Sequence, residues 1–148
     1  MRILVAEDDD ITAEMLDATL EEWGYDVTRV DNGLDAWQVC SQDDAPRLVL
    51  LDWMMPGLNG TEVCQKIRDN AGDAYTYVLL LTSKTEQEDV IEGLIAGADD
   101  YITKPFNPSE LKARVDGGRR VLDLENEHIQ MLSKLKEGEE LRRTFVST

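Results

Sequence analysis

Leu48-Val49-Leu50-Leu51-Asp52 is a run of four apolar residues that stops on a carboxylate. A strand with one wet face alternates apolar and polar residues, whereas an unbroken apolar run of this length suits a strand buried on both faces. Outward from it, similar runs recur at Ile3 to Ala6, Val27 to Val30, Val78 to Leu81 and, more weakly, Tyr101-Ile102. Longer amphipathic stretches separate them. Strict alternation of strand and helix means parallel pairing with helices on both faces, so the expected fold is α/β, a doubly wound (βα)5 parallel sheet.

The helices carry their own punctuation. Ile11 to Trp23 has Ile11, Met15, Leu16, Leu20 and Trp23 at helical spacing for a buried face, and Gly24 stands where a C-terminal cap belongs. A second helix is expected over Gly33 to Ser41. A third runs from Gly60 to Arg68, with Asn59 and Glu62 at capping-box spacing. The fourth, Thr85 to Ala96, opens with the box Thr85-Glu86-Gln87-Glu88, presents Val90, Ile91, Leu94 and Ile95 on one face, and stops at Gly97. The fifth begins at Asn107-Pro108 with Glu110 at its third position. Gly117-Gly118 should interrupt or kink it, dividing a core domain over 1–120 from a helical tail over 121–148 in which Val121, Leu124, His128, Met131 and Leu135 have the spacing of a coiled-coil seam.

A formal charge of -16 over 148 residues argues against direct binding to nucleic acid or anionic lipid, which need Lys and Arg to displace counterions. No stretch approaches the ~20 apolar residues of a membrane helix, and the short apolar start runs straight into acids, unlike a signal peptide. The two cysteines, Cys40 and Cys64, lack zinc or redox spacing and read as reduced structural thiols of a cytoplasmic protein.

In an open parallel sheet ligands bind beyond the carboxyl ends of the strands. Those ends carry Glu7, Asp8, Asp9 and Asp10, then Asp52, Thr82 and Lys104. Singly these are a solvated acidic loop, a turn aspartate, a capping threonine and a surface lysine; Asp10 reads simply as the cap of the first helix. Together they form a constellation. Crowded carboxylates call for a cation, and hard oxygen donors suit Mg²⁺, which leaves one carboxylate to attack phosphorus while Thr82 and Lys104 meet the phosphoryl oxygens.

Four motifs carry a resemblance: Ile3-Leu4-Val5-Ala6-Glu7-Asp8-Asp9, Leu50 to Gly60 with Asp52-Trp53-Met54-Met55-Pro56-Gly57, Leu81-Thr82-Ser83, and Gly97-Ala98-Asp99-Asp100-Tyr101-Ile102-Thr103-Lys104-Pro105-Phe106. Over residues 2 to about 120 the chain resembles the response-regulator receivers of bacterial two-component signalling. The resemblance implies the flavodoxin-like strand order 2-1-3-4-5 and makes Asp52 the phosphoacceptor. It implies a Mg²⁺ ion, replaceable by Mn²⁺, held by Asp8, Asp52 and the Met54 backbone carbonyl, with Glu7 acting through water. Asp9 competes with Asp8 if the first strand ends a residue later. Thr82 and Tyr101 would form the switch, Lys104 would reach the phosphoryl group, Lys104-Pro105 would be cis, and small Ser83 would leave Asp52 accessible. Gly60 and Pro56-Gly57 would shape the loop.

The implied donor is a sensor histidine kinase or phosphotransfer protein, and the implied readout is the face of the fourth helix, fifth strand and fifth helix. That face or the C-terminal helix could support a homodimer. The chain would be no enzyme beyond its own phosphorylation and dephosphorylation. An aspartyl phosphatase would need an acid where Met54 stands; a flavin carrier would not put four acids in its phosphate loop; a silent interaction module would not need the complete set. The tail has no helix-turn-helix, its mixed charges suit a solvated or linking helix, and His128, the single histidine, reads as a seam or surface residue.

Overall fold

The computed structural model describes all residues except 71, 73, 84–86, 147 and 148, with backbone only for 87–90 and 137–146. Five strands alternate with five helices: β1 (Arg2–Ala6), α1 (Asp10–Glu22), β2 (Asp26–Val30), α2 (Gly33–Cys40), β3 (Leu48–Asp52), α3 (Gly60–Asp69), β4 (Tyr77–Thr82), α4 (Gln87–Ile95), β5 (Asp100–Thr103) and α5 (Pro108–Val146). The strands form one parallel sheet in the order β2-β1-β3-β4-β5. Order reverses between β1 and β3, which opens a crevice at their carboxyl ends.

The apolar runs of β1, β3 and β4 are buried on both faces, whereas Val27 to Val30 belongs to the edge strand β2 and is at most half-buried, because no strand covers its outer side. Alternate residues Ile3, Val5, Leu48, Leu50, Leu79 and Leu81 meet Leu16, Leu20, Leu111 and Val115 of α1 and α5. Their neighbours Leu4, Val49, Leu51, Val78 and Leu80 meet Ala36, Val63 and Ile67 of α2 and α3 on the other side. Each such side chain contributes about 1.5–3 kcal/mol by leaving water.

Expected helix faces fail in two places for one reason. In α1 the inward residues are Ala13, Leu16 and Leu20, while Ile11 and Met15 lie in solvent. In α4 Ile91, Leu94 and Ile95 are exposed, and the helix approaches the sheet through Gly93, where an added Cβ would lie 2.9 Å from Leu80 and 3.0 Å from Trp53. Small residues let a helix sit close, so the bulky stripe points outward. The Thr85-Glu86 start of the expected capping box lies outside the described residues; the Asn59–Glu62 box of α3 is formed.

Gly117-Gly118 do not interrupt α5, which is continuous to Val146. Gly118 is there for contact: a Cβ would lie 2.7 Å from the Tyr77 ring and 3.0 Å from Leu48. This packing offsets the roughly 1 kcal/mol a helical glycine costs, and burial persists one turn further, to Leu122. No helix among the described residues is long and apolar enough to cross a membrane.

One polar cluster braces the sheet. Asp99 accepts from Arg68 Nη2 at 2.8 Å, from the Val78 N–H at 2.8 Å and from the Tyr75 hydroxyl, while Arg68 also donates to the carbonyls of Gly97 (2.9 Å) and Thr76 (2.6 Å). Asp99→Ala is expected to lower unfolding free energy by about 2 kcal/mol, because it strands a part-buried guanidinium and a backbone N–H. Urea denaturation measures this, and a loss below a few tenths would show the cluster to be dispensable.

Candidate functional site

Beyond the carboxyl edge of the sheet the chain brings its acids together. Glu7, directly after β1, is 2% exposed and Asp52, the last residue of β3, is 7% exposed. Glu7, Asp8 and Asp52 each place a carboxylate oxygen within 4.8 Å of the others. Asp8 is the exposed member of this group.

The competing acid has other work. Asp9, with extended backbone, caps α1: its carboxylate accepts from the Thr12 N–H at 3.1 Å and from the Thr12 hydroxyl, and these bonds hold its pKa below the usual range. Asp10, expected as the cap, is instead the first helical residue and makes a surface ion pair with Arg29 at 3.6 Å. The strand ends at Ala6, so three residues remain before the helix and the cap falls on the third.

Lys104 Nζ lies between the buried acids, 2.6 Å from Glu7 Oε2 and 3.2 Å from Asp52 Oδ1. Its backbone N–H donates to the Thr82 carbonyl at 2.7 Å, and Lys104-Pro105 is cis. Burial draws the Lys104 pKa down, but the contacts with Glu7 and Asp52 outweigh it and the net shift is upward. For Asp52 burial dominates, the Glu7 carboxylate adds to it, and Lys104 compensates in part, so its pKa is pushed up to about 7. A single ammonium does not neutralise this many acids. An oxygen-only donor set with excess negative charge fits a hard divalent cation such as Mg²⁺.

Thr82 is buried at the end of β4, and Tyr101 of β5 is half-buried. The two line one mainly apolar crevice with Trp53, Leu80, Gly93, Leu94, Ala98 and Asp100. Ser83 is exposed, and Met54, two residues past Asp52, has its side chain in solvent. Gly57 has φ +79°, the left-handed conformation glycine tolerates, in the loop that leads to α3.

Glu7, Asp8, Asp52 and Lys104 thus gather at one edge, with Thr82 at the end of the neighbouring strand, but two features were not foreseen. Lys104 is held more closely by Glu7 than by Asp52. Arg114 of α5 grips Asp100 of β5 through both carboxylate oxygens, at 3.0 and 2.8 Å, which ties the fifth strand to the fifth helix. The Arg114–Asp100 pair spans a helix and a strand, so no local spacing announces it.

Comparison with known proteins agrees with this geometry. The family model described as the response regulator receiver domain matches residues 3–116. The DNA-binding response regulator MtrA of Mycolicibacterium smegmatis is 44% identical over 132 residues, covering 89% of this chain and 55% of the relative. The Francisella response regulator 1452 receiver domain superposes with a TM-score of 0.74 at 35% identity, covering 81% of this chain and 98% of that one. A receiver domain of a Pseudomonas aeruginosa sensor histidine kinase, with a magnesium ion coordinated in its active-site cleft, gives a TM-score of 0.70 at 30% identity over 77% and 93% of the two chains.

The chain spans about half the length of the curated relatives it matches. Their DNA-binding names run against the expectation of no nucleic-acid contact. That expectation rested on the charge of residues 1–148 alone, and it is withdrawn for any longer protein that contains them. With the acids, Thr82 and Lys104 gathered at the switch point of a 2-1-3-4-5 sheet and the family model spanning 3–116, the chain belongs to the receiver-domain family of two-component response regulators.

Proposed function

We propose that this receiver is switched by a phosphoryl group carried on Asp52. A sensor histidine kinase or phosphotransfer protein presents phosphohistidine, an Asp52 carboxylate oxygen attacks phosphorus in line, the P–N bond breaks, and neutral imidazole leaves after protonation. Glu7, Asp8, Asp52 and the Met54 carbonyl would hold Mg²⁺, or Mn²⁺ in its place, which when bound supplies positive charge to the carboxylates and the transferring group.

The chain's own residues do the rest. Lys104, already 3.2 Å from Asp52, is placed to move from Glu7 toward a phosphoryl oxygen once Glu7 faces a better cation. The Thr82 hydroxyl follows the phosphoryl group, and Tyr101 turns into the crevice that Thr82 vacates, which changes the α4-β5-α5 face. A phosphoryl group can bias such an equilibrium only through contacts that differ between the two states, and Thr82 and Lys104 supply them. The chain catalyses only its own phosphorylation and hydrolysis, in the cytoplasm. Residues 1–120 act as the switch and 121–148 as a helical extension toward an output, of which DNA binding, named for the MtrA relative, is one form.

The observation that carries this reading is the convergence of Glu7, Asp8 and Asp52, with the Lys104 ammonium set between Glu7 and Asp52. Intact mass after incubation with acetyl phosphate and Mg²⁺ tests it. One phosphoryl adduct is expected, absent with EDTA and absent from Asp52→Asn. No adduct on folded wild type would sink the proposal and leave a silent interaction module.

A further inference from the structure

A cavity of about 510 Å³ opens at the end of the sheet opposite Asp52, where Arg47 leads into β3 and Thr76 into β4. Small-molecule sites span roughly 300–1,000 Å³. Because Asp52 closes the far end of β3, this cavity is separate from the carboxylate site.

Its walls differ in character. Trp37, Ile67 and Cys40 form an apolar part; burial pushes the Cys40 thiol up to about 12, so it stays neutral. Lys66 Nζ stands 5.8 Å from the centroid of the Trp37 ring and steadies the indole. Arg47 is half-buried in the lining, and its Nη2 donates to the Asp43 carbonyl at 3.3 Å, which engages only part of the guanidinium fork. Two helices end at the cavity, since the C-caps of α2 and α3, Ser41 and Asn70, both line it. Helix C-termini carry partial negative charge and favour a cation. The last turn of α2 has no basic residue to offset that charge, and in α3 Arg68 is committed to Asp99. Asp43 adds a negative residue to the same lining.

Charge selects among ligands. An anion would meet Arg47 but also the carbonyl end of α2, Asp43 and a chain of net charge -16. A simple cation would suit those groups and be repelled by Arg47. A neutral apolar molecule would strip water from the polar groups without replacing their hydrogen bonds. A zwitterion satisfies both signs and is indifferent to the net charge.

We propose that this cavity binds a free α-amino acid with a large apolar side chain. Its carboxylate lies on Arg47, its ammonium at the carbonyl end of α2 beside Asp43, and its side chain against Trp37 and Ile67. Binding needs neither Mg²⁺ nor a phosphoryl group, so it stands or falls independently of the switch at Asp52.

Isothermal titration calorimetry on the whole chain, in EDTA with no phosphodonor, is the test. L-phenylalanine is the probe; phenylethylamine and phenylpropionate keep the ring and each lack one charge. A Kd on the order of 0.1 mM is expected for L-phenylalanine, with each analogue at least about tenfold weaker. Arg47→Gln should reduce phenylalanine to the affinity of phenylethylamine, about tenfold weaker, while adduct formation from acetyl phosphate with Mg²⁺ stays at the wild-type rate. Asp43→Asn should weaken phenylalanine about threefold. No heat with phenylalanine up to about 10 mM, an analogue binding as tightly as phenylalanine, or an affinity indifferent to Arg47→Gln would each overturn the proposal. The second result would show that one charge suffices, and the third that the ligand sits elsewhere.

Discussion

Asp52→Asn is expected to raise the melting temperature of the EDTA-treated protein by about 5 °C at pH 8 while removing all phosphoryl uptake. Burial, and secondly the Glu7 carboxylate beside it, push the Asp52 carboxyl from its ordinary 3.8 up to about 7 in the folded chain. A raised acid pKa means that the folded state holds the proton more tightly than the unfolded one. The contribution of this group to stability is therefore full below about pH 4 and is lost as pH rises through about 7.

At pH 8 the wild type carries the whole penalty. The rise from 3.8 to about 7, in which the offset by Lys104 is already included, corresponds to about 4 kcal/mol at most, and structural relaxation leaves about 2 kcal/mol. Asparagine keeps the shape and removes the charge, and the Lys104–Glu7 contact at 2.6 Å survives. Melting curves of both proteins in EDTA from pH 5 to pH 8 provide the check. The wild type should fall relative to the variant as pH rises, and Mg²⁺ should recover the wild type far more than the variant. Parallel pH profiles, or a variant less stable at pH 8, would show that Asp52 is not under electrostatic strain.

The same physics explains what could be read from the sequence and what could not. Buried parallel strands announce themselves because both faces must be apolar, so Leu48 to Leu51 and Val78 to Leu81 lie inside the strands found. A ligand edge follows from strand ends, so Glu7, Asp8, Asp52, Thr82 and Lys104 were legible before any coordinates. Helix faces were less legible because an apolar stripe does not say which neighbour it meets. Gly93 and Ala13 turn inward while Ile11, Met15 and Ile95 remain in water. The Gly117-Gly118 pair is ambiguous in the sequence for a related reason. Glycine signals either a break or a close approach, and the Tyr77 ring against Gly118 decides for the latter. The Asp9 cap depended on where β1 ends, a one-residue matter that a run of four acids conceals.

Gly60→Ala should be among the most damaging single-methyl changes in the chain, costing about 3 kcal/mol and most of the phosphorylation rate. Gly60 opens α3 directly behind the acceptor, and its N–H donates to the Trp53 carbonyl at 2.8 Å. A Cβ built there would lie 2.4 Å from the Asp52 carbonyl oxygen and 3.1 Å from its carbonyl carbon. Those are backbone atoms of a central strand, held by pairing with β1 and β4 on either side, so they cannot yield as the end of a flexible side chain would. Relief requires α3 to move away from the sheet, which opens the packing of Val63 and Ile67, or β3 to shift, which moves the Asp52 carboxylate relative to Glu7 and Lys104. Both routes converge on the site, and a displacement of about 1 Å is enough to slow a positioned reaction a hundredfold. Urea unfolding and the rate of adduct formation from acetyl phosphate, measured on the same preparation, separate the two losses. A variant as stable as wild type would mean that α3 is not seated against β3 as described. A destabilised variant that still phosphorylates at the wild-type rate would mean that the strain is relieved entirely on the helix side, with Asp52 held in place by its strand.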